Sequence, residues 1–193
     1  MNRPLALFLS RIAHPLVILT FFVFYSNLRL QELDAALWTI TAMLAITIVP
    51  LIVWNWLKWK QGVYSNFDVS VREQRFSMFG FVFVLAAILI AFLFLSNQPQ
   101  EILFGSLILI QVILITFLLN FRLKSSLHLA VCTYIAMGMV PLNGPMALGL
   151  MLLTPLLAWA RVSLGRHQWN EVITGSMLGT GSGIQLLYLT DYL

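Results

Sequence analysis

Charged residues are scarce in this chain of 193 residues. Only 9% of the residues are Asp, Glu, Lys or Arg, whereas 60% are hydrophobic. A soluble domain carries about 25% charged residues, so the composition predicts that lipid surrounds most of the chain. The length fits one domain, and we treat residues 1–193 as a single integral membrane domain.

Cysteine and histidine are also rare, and their scarcity excludes several kinds of site. A single cysteine, Cys132, excludes an intramolecular disulfide framework and a thiolate metal cluster. Three histidines without a close group of carboxylates make a poor metal site, so we expect no metal and no other cofactor. The chain has no run of Lys and Arg, which argues against a nucleic-acid partner.

The apolar runs are continuous and do not alternate, which predicts an all-α fold and excludes a membrane β-barrel. Each span needs roughly 20 apolar residues, so we expect a polytopic membrane helical bundle of six to seven transmembrane helices. The fifth and sixth runs are short; they fit short or tilted spans, which we favour, or a re-entrant pair. The runs are 4–25, 35–57, 76–96, 102–121, 127–142, 145–159 and 169–189.

The connections between these runs differ in charge. The N-terminus and the segments 58–75, 122–126 and 161–166 hold most of the basic residues, and the other connections hold Arg29 with most of the acidic ones. Cytoplasmic loops of membrane proteins carry an excess of Lys and Arg. We therefore expect a protein of the cell inner membrane whose polar face is cytoplasmic.

The most informative polar cluster precedes the last apolar run and contains Arg161, His167 and Glu171. Residues four apart share one face of a helix, so Glu171 is predicted to accept a hydrogen bond from one imidazole nitrogen. The other nitrogen is then free to act as a nucleophile. Arg161 ends the preceding run and has the guanidinium geometry that binds phosphate.

A second cluster, Lys124-Ser125-Ser126-Leu-His128, opens the fifth run. Hydroxyls and amides at a helix N-terminus bind anions, and His128 is a candidate general acid. A third cluster holds Asp68 and two arginines, Arg72 and Arg75. We expect those arginines to share a helical face and to clamp an oxyanion.

Together these clusters resemble the motifs of the type 2 phosphatidic acid phosphatase superfamily, which includes membrane lipid phosphatases and vanadium haloperoxidases. The family's third motif is Ser-Arg, five residues, His, three residues and Asp; here Ala160-Arg161, five residues, His167, three residues and Glu171 stand in its place. The second motif, Pro-Ser-Gly-His, corresponds to 125–128, which keeps the Ser and the His but has Leu in place of Gly. The first, Lys, six residues and Arg-Pro, corresponds to 68–76, where only Arg75 is kept. The resemblance covers roughly residues 55–190 and implies a phosphatidic-acid-phosphatase-type core.

The resemblance implies a chemical role for each matching residue. His167 attacks phosphorus and forms a phosphohistidine, Glu171 orients it, and His128 protonates the leaving group. The phosphate-binding residues are then Arg161, Ser126 and Arg75, with Arg72 and Lys124 beside them. The first motif departs from the family because Asp68 stands where the lysine belongs. We hypothesise that Lys124 supplies the missing ammonium.

The resemblance therefore implies an integral membrane lipid phosphatase that needs no metal. Its partner is the lipid bilayer, and its substrate is a phosphomonoester or diphosphate of the phosphatidic acid, phosphatidylglycerol phosphate or isoprenyl phosphate class. Two alternatives stay open: a lipid phosphotransferase using the same site, and a catalytically silent relative that binds lipid phosphates. The sequence does not predict the oligomeric state.

Two further patterns receive structural interpretations. Arg11 and His14 interrupt the first apolar run, and we expect a surface-lying helix that turns into the membrane at Pro15 rather than a substrate contact. Gly175, Gly179 and Gly183 recur every four residues. This spacing predicts close backbone packing of the last helix against its neighbours.

Overall fold

The computed structural model describes residues 3–193, and over this range all regular secondary structure is helical, without strands. A π-helical stretch, Leu44–Ile48, joins α3 to α4, so that Leu33–Lys60 is one helical segment. The all-α prediction is therefore confirmed. The α-helices are α1 Arg3–Ile12, α2 Pro15–Leu30, α3 Leu33–Met43, α4 Val49–Lys60, α5 Arg75–Leu95, α6 Gln100–Leu119, α7 Leu127–Gly138, α8 Gly144–Ser163 and α9 Trp169–Leu189.

Five helical segments in the described part of the chain are long and apolar enough to cross a membrane. They are Arg3–Leu30, Leu33–Lys60, Arg75–Leu95, Gln100–Leu119 and Gly144–Ser163. The expected count of six to seven is not reached, because α7 has only 12 residues and α9 is less apolar. The sixth run is longer than expected, since α8 has 20 residues.

The first apolar run is broken, as Arg11, His14 and Pro15 predict. Helix α1 ends at Ile12, and α2 begins at Pro15, where the fixed φ of proline suits the first helical position. The Nδ1 atom of His14 caps α2 by accepting a hydrogen bond from the backbone N–H of Leu16 at 3.2 Å. This cap places the His14 side chain at one end of the bundle.

The short helix α7 forms the centre of the bundle. Every residue from His128 to Ala136 is buried, and α2, α6, α8 and α9 all pack against this helix. Cys132 is among the buried residues. A helix that is apolar on all sides is stable only when it is covered on all sides. Because α7 is held from several directions, it fixes the position of His128 in its first turn.

The packing of α9 on α7 uses the glycine repeat and confirms its structural interpretation. A Cβ atom at Gly175 would collide with the backbone oxygen of Ser126, and one at Gly179 with that of Ala130. At Gly183 the added atom would meet the side chain of Met137. Helices approach this closely only where the contact residues are small.

We expect Gly179→Val to lower the melting temperature in detergent strongly, while Gly181→Val changes it little. Overpacking a tight interface costs about 1–3 kcal/mol or more, and Gly179 faces backbone atoms that have no room to move. Gly181 is the matched control, because nothing lies within 4 Å of a Cβ atom added there. Equal melting temperatures for the two variants would contradict the close α7–α9 packing.

The two ends of the bundle differ in polarity, as the charge pattern predicts. At one end, the loop 61–74 and the segments 122–126 and 164–168 meet the region around Ser10 and His14. The opposite end has neutral hydrogen bonds, such as those from Thr39 to Gln98 and from Asn143 to Tyr25. The candidate site lies at the first of these ends.

Candidate phosphate-binding site

A histidine and a glutamate at the start of α9 form the pair that the sequence predicts. The Nδ1 atom of His167 lies 2.7 Å from Oε2 of Glu171. The same oxygen accepts a hydrogen bond from the backbone N–H of Gln168 at 3.2 Å, which caps the helix. One carboxylate therefore holds both the helix start and the imidazole ring.

The other ring nitrogen of His167 is buried and makes no hydrogen bond to any described residue. Burial and the charges of Arg161, Arg75 and Lys124 lower the pKa of His167 to about 2. The ring is therefore neutral at physiological pH. With Nδ1–H donating to Glu171, the lone pair of Nε2 is available to a ligand.

This pKa shift makes the stability of the protein depend on pH. In the unfolded chain His167 has an ordinary pKa near 6.5, so below that pH the unfolded state takes up a proton that the folded state does not. The contribution of neutral His167 to the free energy of unfolding is therefore complete above about pH 6.5. It decreases as the pH falls, by up to about 1.4 kcal/mol per pH unit.

We expect His167→Asn to show a shallower loss of stability than the wild type between pH 6.5 and 4.5, because this variant lacks the proton site. Denaturant unfolding in detergent at several pH values measures the slope. The carboxyl of Asp68 contributes in a separate window: its pKa is lowered, so its stabilisation persists down to about pH 4. Identical slopes for the two proteins would show that His167 is not held neutral.

Arg161 lies at the centre of the cluster and is fully buried. Its Nη1 atom is 3.0 Å from Oγ of Ser10, 3.1 Å from Oδ2 of Asp68 and 3.3 Å from Nε2 of His128. Arginine is only a donor, so Nε2 of His128 accepts and carries no proton in this arrangement. The other edge of the guanidinium, Nε with Nη2, has no partner among residues 3–193.

Asp68 neutralises part of this cationic cluster. Its Oδ2 atom forms ion pairs with Arg161 and Arg166, and its Oδ1 atom lies 3.4 Å from Nε2 of His14. Burial opposes ionisation, but the hydrogen bond from His14 and the nearby cations hold the pKa of Asp68 well below its usual range. The carboxylate thus fixes the Nη1 edge of Arg161 and leaves the Nε–Nη2 edge free.

The backbone after Asp68 is strained. Val69 has a φ of 47°, a conformation that is a genuine outlier for a β-branched residue. Its side chain is buried, and its carbonyl oxygen accepts a hydrogen bond from Nε of Arg75 at 3.0 Å. These contacts hold the strained turn, and strain of this kind concentrates at binding and catalytic sites.

Arg75 and Ser126 connect the remaining segments. Nη1 of Arg75 donates to the carbonyl oxygen of Ser125 at 3.1 Å, and the N–H of Ser126 donates to the carbonyl oxygen of Glu171 at 3.0 Å. The hydroxyls of Ser125 and Ser126 are buried without a hydrogen-bond partner in the described structure. The second cluster therefore has two unpaired hydroxyls in a segment that contacts both Arg75 and Glu171.

The placement of Arg72 and Lys124 differs from the expectation. Arg72 precedes α5, so it shares no helical face with Arg75, and its Nε donates to the carbonyl oxygen of Asn120. The predicted shared helical face is therefore wrong. Nζ of Lys124 donates to the carbonyl oxygen of Arg166 at 2.8 Å, and burial, together with the charge of Arg75, lowers the pKa of Lys124. This contact ties Lys124 to the loop before His167.

Three residues of the site were not assigned a role by the sequence: Ser10, His14 and Arg166. His14 was interpreted as part of a membrane turn, yet its ring lies edge-on to that of His128 with centroids 5.2 Å apart. The sequence did single out His14, because a histidine interrupts the first apolar run at this position. Ser10 gave no such signal, because a serine in an amphipathic helix is unremarkable.

A metal ion does not fit the three closest ligand groups. His14, Asp68 and His128 have ligand atoms within 4.8 Å of one another. Nη1 of Arg161, however, contacts both Asp68 and His128. A second cation at that place would be repelled by the guanidinium, which makes this cluster an arginine-centred site.

Comparisons of the chain with family models, with curated proteins and with solved structures give no match. The resemblance to the phosphatase superfamily therefore rests on the three motifs, their order and their spacing.

Proposed function

We propose that this protein is an integral membrane phosphatase that hydrolyses the phosphate ester of a lipid through a phosphohistidine. One observation carries the proposal: His167 is held by Glu171 with a free, buried Nε2 atom, and the charges of Arg161, Arg75 and Lys124 lie close enough to depress its pKa. A neutral imidazole surrounded by cations suits attack on an anionic phosphorus centre.

In the proposed first step, the lone pair on Nε2 of His167 forms a bond to phosphorus while the bond from phosphorus to the lipid oxygen breaks. The free edge of Arg161, with the hydroxyls of Ser125 and Ser126, binds the equatorial oxygens and stabilises their charge. His128, after its release from Arg161, takes up a proton from solvent at Nε2 and donates it to the departing oxygen.

In the second step, water attacks the phosphohistidine and the bond from phosphorus to Nε2 breaks. His128, now neutral, accepts a proton from the water, and inorganic phosphate leaves.

The five apolar segments support a location in a membrane. The basic end of the bundle, by the positive-inside rule, favours a cytoplasmic site.

A second candidate function is supported by Asp68. Its carboxylate pairs with Arg161 and Arg166, so it competes with a phosphate for two cations. Such competition is expected of a catalytically silent relative that binds lipid phosphates without hydrolysing them. The phosphatase is preferred, because the Nε–Nη2 edge of Arg161 and Nε2 of His167 remain unpaired.

The test is phosphate release by the purified protein in detergent with EDTA. The substrates are phosphatidic acid, phosphatidylglycerol phosphate and an isoprenyl phosphate, and a parallel preparation of His167→Asn gives the background. Release above that background supports the phosphatase. Binding without release from any substrate supports the silent relative, and release that appears only with an added acceptor lipid supports a phosphotransferase.

A further inference from the structure

Two glutamine side chains meet on the outer surface of the bundle, between α6 and α9. Nε2 of Gln111 donates a hydrogen bond to Oε1 of Gln185 at 2.8 Å, and Nε2 of Gln185 donates one back to Oε1 of Gln111 at 3.3 Å. Gln185 is exposed and Gln111 is half-buried. The pair is remote from the phosphate-binding site, because Gln185 lies about 21 Å along α9 from Glu171 at 1.5 Å per residue.

The glutamine pair lies at the depth of the hydrocarbon core. Helix α6 has 20 residues and is one of the segments able to cross a membrane. It is about 30 Å long, and Gln111 lies about 16 Å from its start. Because the hydrocarbon core of a bilayer is also about 30 Å thick, Gln111 is close to the midplane. Lipid offers an amide no hydrogen-bond partner at this depth, so any bonding capacity left over there is unfavourable.

The two hydrogen bonds use only half of the bonding capacity of the amides. Each amide has two N–H donors and an oxygen that accepts two hydrogen bonds. Gln111 and Gln185 each use one donor and one acceptor, and neither side chain makes another hydrogen bond within residues 3–193. Each amide therefore presents one further N–H group and one further lone pair at the outer surface.

The outer face of α9 beside Gln185 also permits the close approach of another helix. Gly181 lies one helical turn before Gln185, so the two residues share this face. A Cβ atom added at Gly181 would meet nothing within 4 Å, whereas one at Gly179 would collide with α7. The packing of a single copy therefore does not require a glycine at position 181, and this small residue leaves room for a second helix.

From these features we infer that two copies of this chain associate in the membrane through the outer faces of α6 and α9. The partner is a second copy, because an amide pair both donates and accepts and is thus complementary to itself across a two-fold axis. The glutamines of both copies then form one cluster, in which the remaining N–H groups of each copy donate to amide oxygens of the other. Each copy keeps its own phosphate-binding site, since the contact lies away from it.

The first test compares the association of the wild type with that of the double variant Gln111→Leu, Gln185→Leu in lipid vesicles. Both amides are replaced together, so neither is left without its partner inside one copy. Energy transfer between copies that carry donor and acceptor dyes at the N-terminus, measured over a range of protein-to-lipid ratios, gives the dimer dissociation constant. We expect the double variant to raise this constant at least about tenfold, because interhelical hydrogen bonds between polar side chains stabilise helix contacts in membranes.

The matched control for the double variant is Gln100→Leu. It makes the same chemical change on α6, at the exposed first residue of the helix. This position lies at the end of the span, away from the inferred contact. We expect Gln100→Leu to leave the dissociation constant unaltered.

Disulfide cross-linking locates the contact independently. The single cysteine of the chain, Cys132, is buried, so an introduced cysteine provides the accessible thiol. Gly181→Cys places this thiol on the inferred contact face, and Val84→Cys places it on α5, where Val84 is 57% exposed. With a membrane-permeable oxidant, we expect Gly181→Cys to form a covalent dimer and Val84→Cys to stay monomeric.

Three results would overturn the inference: no energy transfer above that of randomly mixed monomers, equal association of the wild type and the double variant, or equal cross-linking of the two cysteine variants. Cross-linking of Gly181→Cys in native membranes to a different protein, and not to a second copy, would overturn it as well. If the double variant does not fold, the cross-linking result decides. None of these measurements needs a substrate, so they are independent of the proposed function.

Discussion

His167→Asn is expected to reduce phosphate release at least roughly a thousandfold, because the variant lacks the atom that bonds to phosphorus. Removing a nucleophile that acts together with its partners costs orders of magnitude in kcat. Asparagine keeps a polar side chain at a buried position, so the loss is not a cavity effect. The measurement is kcat for the best lipid phosphate, with wild-type protein quenched in alkaline detergent examined for phosphohistidine.

The control for this variant is Arg122→Gln, which changes an exposed cation at the same end of the bundle. We expect Arg122→Gln to keep wild-type kcat. If His167→Asn retained more than a few per cent of the activity while the phosphoenzyme was still formed, another residue would be the nucleophile and the assignment would be wrong.

Arg161→Lys is expected to lower kcat by about 100- to 1,000-fold, the usual cost of removing one donor that stabilises transition-state charge. Lysine keeps the positive charge that pairs with Asp68, but it lacks the planar fork of the guanidinium. With Nη1 occupied by Ser10 and Asp68, the free Nε–Nη2 edge is the part that lysine cannot replace. The loss should therefore appear in kcat more than in KM.

Arg122→Lys makes the same chemical change at an exposed position and should leave kcat unaltered. The melting temperature of Arg161→Lys separates a loss of chemistry from a loss of folding, since the retained charge still neutralises Asp68. Wild-type kcat in a folded Arg161→Lys protein would mean that the free edge binds no phosphate.

Much of the helical fold could be predicted from the sequence, because an apolar run of about 20 residues has few alternatives to a helix in lipid. The break at Pro15 and the glycine packing of α9 also follow from local rules. The fifth run was short in the sequence, but the end of α7 at Gly138 did not follow from local rules, because the apolar run continues to residue 142. That ending depends on packing against several neighbouring helices.

The His167–Glu171 pair was predictable because its spacing is local and helical. The position of Arg72 was not, because the residues before Arg75 form a loop rather than another helical turn. The partners of Asp68 were also beyond the sequence: Arg161 is 93 residues away and Arg166 is 98. Contacts over such separations depend on how whole helices pack, which no local pattern encodes.

The hydrogen bond from Arg161 to Ser10 has a consequence for the synthesis of the protein. The two residues are 151 positions apart, and at 5–20 residues per second the ribosome needs roughly 8 to 30 s to make the chain between them. During this interval α1 is complete but has neither Arg161 nor α8 to pack against. The site is therefore assembled late in biogenesis, when one of the last helices to be made joins the first.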